Sequence, residues 1–311
     1  MNRGLPQFVS FGEALTDLLC VGPNEWRSVP GGAPWNVAQV MAGFGVPSAF
    51  AGAISQDCFG DELWRTSVDV GLDTRFIQRY PKSPLLAIVH ELSPPAYFFV
   101  GDDSADLYFD EDALPQGWKD AVRWAHFGGI SLARQPLAGR LVSLAEQLKR
   151  CGVKISYDPN FRVLMDEDYD RILARMVAVA DLIKVSDEDL RGLFRTQDEA
   201  AALSRLRSMN PVAACLCTRG EKSASLHVGE QNWRALPPQI TVVDTVGAGD
   251  CSLAGLICSL VRQPESAWDA HLRASVAAGS GACLTAGAAV PSAATLASLA
   301  SEIMVEINCA K

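Results

Sequence analysis

Four histidines, no Cys-x-x-Cys pair and no basic excess set the first limits on this 311-residue chain. The histidines, His90, His126, His227 and His271, fall at no metal-ligand spacing, so a zinc site is not expected. Lys and Arg total 27 against 36 Asp and Glu, a net charge of −9. That balance argues against nucleic acid and against an anionic membrane surface as partners. A phosphate compound would then have to be held by local donors or a metal, not by a basic field. Apolar runs such as residues 253–261 are too short to span a bilayer, and residues 1–7 hold no signal-peptide core or small-residue cleavage site. A cytoplasmic protein is expected. No Gly-x-Gly-x-x-Gly follows the first apolar segment, which counts against a dinucleotide fold.

What the chain does have is a core. At 49% hydrophobic and 20% charged residues, it suits one large α/β domain or two ordinary ones. Its nine cysteines are odd in number, and Cys20, Cys215, Cys217, Cys258 and Cys283 sit among apolar neighbours. Buried free thiols are the favoured reading over a metal or redox site. No internal repeat and no long linker divides the chain.

Residues 8–12 read as a buried strand running into an apolar segment that Asp17 interrupts. Asp17 is either solvated at the edge of a small sheet or holds ligand hydroxyls. Gly31-Gly32-Ala33-Pro34-Trp35-Asn36 then opens a helix, with Pro34 in its first turn and Gly45 as its stop. Asn36 either satisfies local backbone groups or hydrogen-bonds a polyol. Residues 46–54 read as a strand and 59–70 as a helix. Residues 85–92 and 97–100, separated by Ser93-Pro94-Pro95, read as strands, with 75–77 as a third. Together with 18–21 and 27–29 they predict a small antiparallel sheet, a lid built from insertions at about 17–30 and 74–108. From residue 122, strands (122–130, 153–157, 182–185, 212–218) alternate with helices (136–150, 169–180, 187–194, 198–209). A hairpin is expected at 224–228 and 233–235, and helices at 268–284 and 295–307. The pattern predicts a three-layer α/β/α fold around a mostly parallel sheet, as a single domain over 1–311.

Ligands bind such sheets beyond the carboxyl ends of the strands, and four suggestive turns are expected there. Asp158-Pro159-Asn160-Phe161-Arg162 follows one strand, Ser186-Asp187-Glu188-Asp189 the next, and Thr218-Arg219-Gly220 a third. The fourth, Asp244-Thr245-Val246-Gly247-Ala248-Gly249-Asp250, reads as a strand at 240–243, a glycine turn and a helix. A helix N-terminus there would offer N–H groups to an anion, with Asp250 beside it to take a proton. Arg162 adds a cation, and Asp189 with Asp187 or Glu188 adds acidic groups able to hold hydrated Mg²⁺. Asp17, Gly32 and Asn36 supply polyol-binding groups. The inventory matches phosphoryl transfer to a hydroxyl.

Residues 12–17, 30–38 and 244–250 resemble the signature motifs of the ribokinase-like (phosphofructokinase B) sugar kinases, and the Asp-Pro-Asn-x-Arg turn is closest to the fructokinase branch. The resemblance covers essentially the whole chain. It implies a small-molecule sugar and ATP as substrates, Mg²⁺ as cofactor, and a cation such as K⁺ in some members. It implies Asp250 as the base, Gly247, Ala248 and Gly249 as the anion hole with Arg162, and Asp17, Gly32, Asn36 and the lid's Tyr97 on the acceptor. Thr218 and Gly220 match positions near the nucleotide. Glu188 and Asp189 match the magnesium motif, and Asp244, with backbone near Val246, Ala282 and Gly287, the monovalent-cation position. The resemblance also implies a homodimer that pairs through the lid edge.

The sequence also departs from that pattern. Asp189 stands where the magnesium motif has Glu. Gly101, before Ala105-Asp106, stands where fructokinases carry a lid arginine, and Trp35 is bulky enough to narrow the acceptor site or stack on it. The reading is an ATP-dependent, fructokinase-like carbohydrate kinase. The alternatives are a kinase for a 2-keto-3-deoxy sugar acid or a ribonucleoside, or a non-catalytic sugar-binding regulator.

Overall fold

The computed structural model describes residues 4–92, 95–287 and 289–309. Ser93-Pro94 and Met1 to Arg3, both used above, lie outside them. The strands begin with β1 (Phe8–Phe11), β2 (Leu15–Gly22), β3 (Glu25–Gly31), β4 (Ser48–Ser55) and β5 (Ile77–Tyr80). They continue with β6 (Leu86–Leu92), β7 (Pro95–Val100), β8 (Trp124–Gly128), β9 (Lys154–Asp158) and β10 (Leu182–Ser186). Last come β11 (Ala214–Thr218), β12 (Ala224–Val228), β13 (Gln231–Ala235) and β14 (Val305–Cys309). The helices are α1 (Ala33–Gly43), α2 (Cys58–Asp69), α3 (Trp118–Ala121), α4 (Leu137–Arg150) and α5 (Asp170–Val179). After them come α6 (Asp187–Phe194), α7 (Glu199–Met209), α8 (Ala248–Arg262), α9 (Trp268–Ala282) and α10 (Ala293–Glu302).

Ten strands form one sheet in the order β14-β13-β12-β11-β10-β9-β8-β1-β4-β5. Pairing is parallel from β11 through to β5 and antiparallel from β11 to β14. The period-two alternation of strand side chains sends neighbours to opposite cores. Val9, Ile183 and Cys217 join Phe11, Leu141 and Met176 on one face. Phe8, Leu182 and Leu216 join Val37, Leu253 and Leu272 on the other. Helices on both faces of a mostly parallel sheet are the expected three layers.

A separate four-stranded sheet has the order β3-β2-β6-β7. It is mixed, not antiparallel, because β2 and β6 run parallel. Residues 74–80 do not belong to it: after a short 3₁₀ turn, β5 pairs with β4 at the edge of the large sheet. Two further expectations are corrected. Residues 240–243 are not a strand, and nothing in the large sheet pairs with them. Val242 and Val243 are exposed, so their β-branched side chains have no core to enter; one N–H, from Val243, reaches Cys283 O at 2.9 Å. The predicted helix at 295–307 stops at Glu302, and Val305–Cys309 pairs antiparallel with β13. There the exposed backbone edge of β13 outweighs the local Ala/Leu helix preference. No helix among the described residues is long and apolar enough to cross a membrane.

Candidate active site

A cleft of about 880 Å³ opens between the carboxyl ends of the parallel strands and the small sheet. Asp17, Gly32, Asn36, Tyr97, Arg162, Glu188, Asp189, Asp244, Gly247, Gly249 and Asp250 all line it. Thr218 and Gly220 do not; Thr218 lies one strand over, paired in register with Ser186, which does.

The root of the cleft is where α1 and α8 begin. Gly247 precedes α8 in a left-handed conformation (φ 77°), and no side chain caps the helix. The Ala248 N–H turns back to Thr245 O at 3.2 Å, while the Gly249 and Asp250 N–H groups have no partner and are open to an anion. A Cβ on Gly249 would sit 3.1 Å from Lys184 Nζ, so glycine lets that buried ammonium lie directly beneath the turn. Asp250, only 7% exposed, accepts from Asn36 Nδ2 at 2.8 Å. Burial pushes its carboxyl up to about 7, with Asn36, Lys184 and Arg162 opposing the rise. Asn36 in turn keeps an unpaired, buried Oδ1, and its N–H is held by Gly32 O at 2.9 Å. Gly32 has φ 113°, and a Cβ there would stand 2.6 Å from Glu13 O, so only glycine fits.

Two residues that carry this geometry were not singled out from the sequence. Lys184, a charge inside the apolar strand β10, pairs with buried Asp158 at 2.9 Å. Its burial opposes its charge, but Asp158, Asp189 and Asp250 more than offset that and hold it protonated. The signal was a lysine in an otherwise continuous apolar run, a costly place for it without a partner. Glu13 is the second. Its buried carboxylate accepts from Ile130 N (3.1 Å), Ser131 N (3.0 Å) and Ser131 Oγ (2.7 Å), tying β1's end to the turn after β8.

Asp189 has a structural task. Its Oδ1 accepts from Phe161 N and its Oδ2 from Ser186 N, each at 2.7 Å, so it caps α6 and pins the Arg162 loop at once. Glu188 beside it is exposed to the cleft. Asp244 accepts from Val246 N at 3.0 Å and Gly287 N at 2.9 Å. Burial raises its carboxyl, but these backbone donors win and hold it below the usual range. Arg162 donates to Asn160 O and Phe161 O, and its guanidinium lies 5.7 Å from the Tyr97 ring centre.

On the small sheet Asp17 has no hydrogen-bond partner, and burial lifts its carboxyl to about 6 against the pull of Arg162. A Cβ on Gly31 would meet Asp17 Oδ2 at 2.5 Å. Trp35 does not reach the acceptor region. It is 2% exposed, packed with Phe50, Leu63 and Leu72, and donates to Ser67 Oγ at 2.9 Å. Gly101 is similarly explained: a side chain there would crowd Leu85 and Ser104, and Arg134 already reaches its carbonyl and pairs with Asp106.

Comparisons with known proteins bear on the family and the fold. The pattern shared by the pfkB family carbohydrate kinases matches residues 6–295. A fructokinase of Klebsiella pneumoniae is 31% identical over 257 residues, covering 80% of this chain and 82% of its own. The structure of a Xylella fastidiosa fructokinase with bound ATP superposes with a TM-score of 0.86 at 25% identity, over 96% of this chain and 99% of that one. A Vibrio cholerae fructokinase bound to fructose, ADP and calcium gives 0.81 at 27% identity, over 95% and 99%.

Proposed function

The chain belongs to the pfkB family of carbohydrate kinases, and from its cleft we propose an ATP-dependent, fructokinase-like enzyme in which Asp250 accepts the proton of the acceptor hydroxyl. The observation that carries this is the juxtaposition of Asp250 with two unpartnered N–H groups at the start of α8. A carboxyl held near 7 is matched to taking a proton at neutral pH, and the neighbouring N–H groups face the charge that develops on the transferring phosphoryl oxygens. Asn36 orients the Asp250 carboxylate and turns its free Oδ1 to an acceptor hydroxyl. Asp17, unpaired until a ligand arrives, accepts from further hydroxyls, and Tyr97 covers them. Arg162 holds the small sheet's Tyr97 and reaches the phosphoryl group. The small sheet serves as the lid that excludes water.

ATP would place its phosphates at Gly247–Gly249 and run toward Thr218 and Gly220, one strand beyond Ser186. For Mg²⁺ the cleft offers Glu188, with Asp189 engaged by two backbone N–H groups, so the protein supplies few direct ligands. That donor set fits a cation that keeps most of its waters and binds chiefly to phosphate; bound there, it would screen the phosphate charge. Asp244, held ionised by Gly287 and Val246 N–H, marks a loop for K⁺. The lid's outward face, with Trp26, Phe98 and Val100 exposed, suits a second copy, and a chain that sediments as a monomer at micromolar concentration would refute that dimer. ATP as a substrate and the free thiols among the described residues favour a cytoplasmic setting, which localisation of a tagged chain would check.

ADP release with a panel of sugars, sugar acids and nucleosides, with and without Mg²⁺, tests the function. Mg²⁺-dependent release with a ketohexose or a related sugar is the expected result. Binding without release on every acceptor would make the protein a sensor instead.

A further inference from the structure

Arg27 is the one cleft cation, among the described residues, that the protein itself leaves without a hydrogen bond or ion pair. Lys184 is spent on Asp158, and Arg162 is held by two carbonyls and the Tyr97 ring. Arg27 lies on β3, lines the same cleft, and is exposed there. Across the opening it faces the Asp244 loop and helps keep that carboxylate ionised.

The register of the small sheet places Arg27 in a sequence of functions. Leu15 pairs with Gly31, Asp17 with Val29, and Leu19 with Arg27. On the other side Asp17 pairs with Ala87 and Leu19 with Val89, which continue to Phe99 and Tyr97. Three rows therefore cross the cleft face, each about 7 Å beyond the last. The root row adjoins Gly32, Asn36 and Asp250. The middle row holds Asp17. The outer row runs Arg27, Leu19, Val89, Tyr97, with Arg162 stacked on its far end. An acceptor whose reacting hydroxyl lies at Asp250 and whose other hydroxyls meet Asp17 must present its remote end to this outer row.

That row is poorly made for a neutral polyol. Leu19 and Val89 offer no hydrogen bonds, and a hydroxyl would gain little from displacing water around a guanidinium. Elsewhere the cleft is lined by acidic side chains, Glu13, Asp17, Glu188 and Asp250 among them, which repel an anion. Of the three cations that line the cleft, Lys184 and Arg162 are already engaged, so Arg27 alone is open to an anionic group of a ligand. A guanidinium fork matches the paired oxygens of a carboxylate or phosphate.

We propose that Arg27 is a specificity-determining residue that selects an acceptor carrying a carboxylate or phosphate at the end remote from the phosphorylated hydroxyl. The inference rests on the kinase reading for which hydroxyl reacts, but not for whether the anion binds.

Calorimetric titration of D-fructose, D-gluconate and fructose 6-phosphate into the full chain and into Arg27→Gln tests it, with ADP release measured alongside. One of the two anionic compounds is expected to bind about ten- to a hundredfold more tightly than fructose, the scale of a charge-assisted hydrogen bond. Which of the two does so identifies the anionic group. In Arg27→Gln the ratio should collapse toward one, with unchanged thermal unfolding showing that the exposed substitution leaves the fold intact. Equal or tighter binding of fructose by the unaltered protein, or an anion preference that survives Arg27→Gln, overturns the proposal. ADP release on fructose with no anion preference would do so while leaving the kinase reading in place. Arg27-dependent anion binding with no ADP release from any acceptor would sink the kinase reading and sustain the binding assignment.

Discussion

The two walls of the cleft are built on opposite principles. On the body side Asp250, Lys184, Asp158, Glu13 and Asp189 are buried, and each is tied to a named partner. On the small-sheet side Asp17 and Arg27 have no hydrogen bonds, and Tyr97 is 37% exposed. A buried, fully partnered charge is expensive to disturb but fixed in place before any ligand arrives. An unpartnered group at an open face costs little and is completed by the ligand. Chemistry that every relative must perform belongs on the first wall, and choice among acceptors on the second.

Substitutions on the two walls should therefore fail differently. The largest effect is expected for Asp250→Asn, with turnover down by about 10²–10⁴ while calorimetric ATP binding is retained. The same variant should gain stability at alkaline pH. The Asp250 carboxyl stands near 7 in the folded chain against an ordinary 3.8, so the stability it contributes is complete below about 4 and lost as pH rises through 7. Near pH 8 the variant should be more stable by up to about 4 kcal/mol, a gain that disappears toward pH 4. A variant destabilised at pH 8 would contradict the buried-carboxylate account. Lys184→Met comes next. Leaving Asp158 buried without its ammonium should cost about 3–5 kcal/mol, read as a lower denaturant midpoint; an unchanged midpoint would show that the pair is dispensable.

Effects on the small sheet should be smaller and confined to the acceptor. Asp17→Asn is expected to raise the acceptor KM about tenfold or more through weakened charged hydrogen bonds, with the KM for ATP nearly unchanged. Its unfolding temperature should be level at low pH and raised above about pH 6, where the buried carboxylate would otherwise be charged. A loss of stability comparable to that of Lys184→Met would erase the distinction between the walls. The smallest effect is predicted for Trp35→Phe, which removes the bond to Ser67 Oγ at a cost of about 1 kcal/mol. Its acceptor preference should not change, because Trp35 faces the core, and a changed preference would return it to the site.

How much of this was readable in the residues differs from element to element. The alternation of Val9, Ile183 and Cys217 with Phe8, Leu182 and Leu216 encodes a sheet covered on both faces, and that pattern is local. So are the turns at Asp158-Pro159-Asn160 and Ser186 to Asp189, where proline and capping groups act within a few residues. Residues 240–243 were misread as a strand because a β-branched run says nothing about whether a partner strand is at hand. Residues 305–307 were misread as helix because the edge of β13, which recruits them, lies about 70 positions away along the chain. In the site, glycine and aspartate at 247–250 were legible, since each is read from its own neighbourhood. Lys184 was not singled out because its partner, Asp158, sits on another strand. Trp35 shows the converse: its size was plain in the sequence, its direction was not.

Whether Asp250 takes the acceptor's proton is decided by the pH dependence of kcat/KM for the acceptor at saturating ATP. Activity should be level in alkaline buffer, begin to fall near pH 7 and steepen below about 6 as Asp17 also protonates. The residual activity of Asp250→Asn should lack the limb near 7. A profile that stays flat from about pH 6 to 8, or a limb near 7 that persists in Asp250→Asn, would rule out Asp250 as the base.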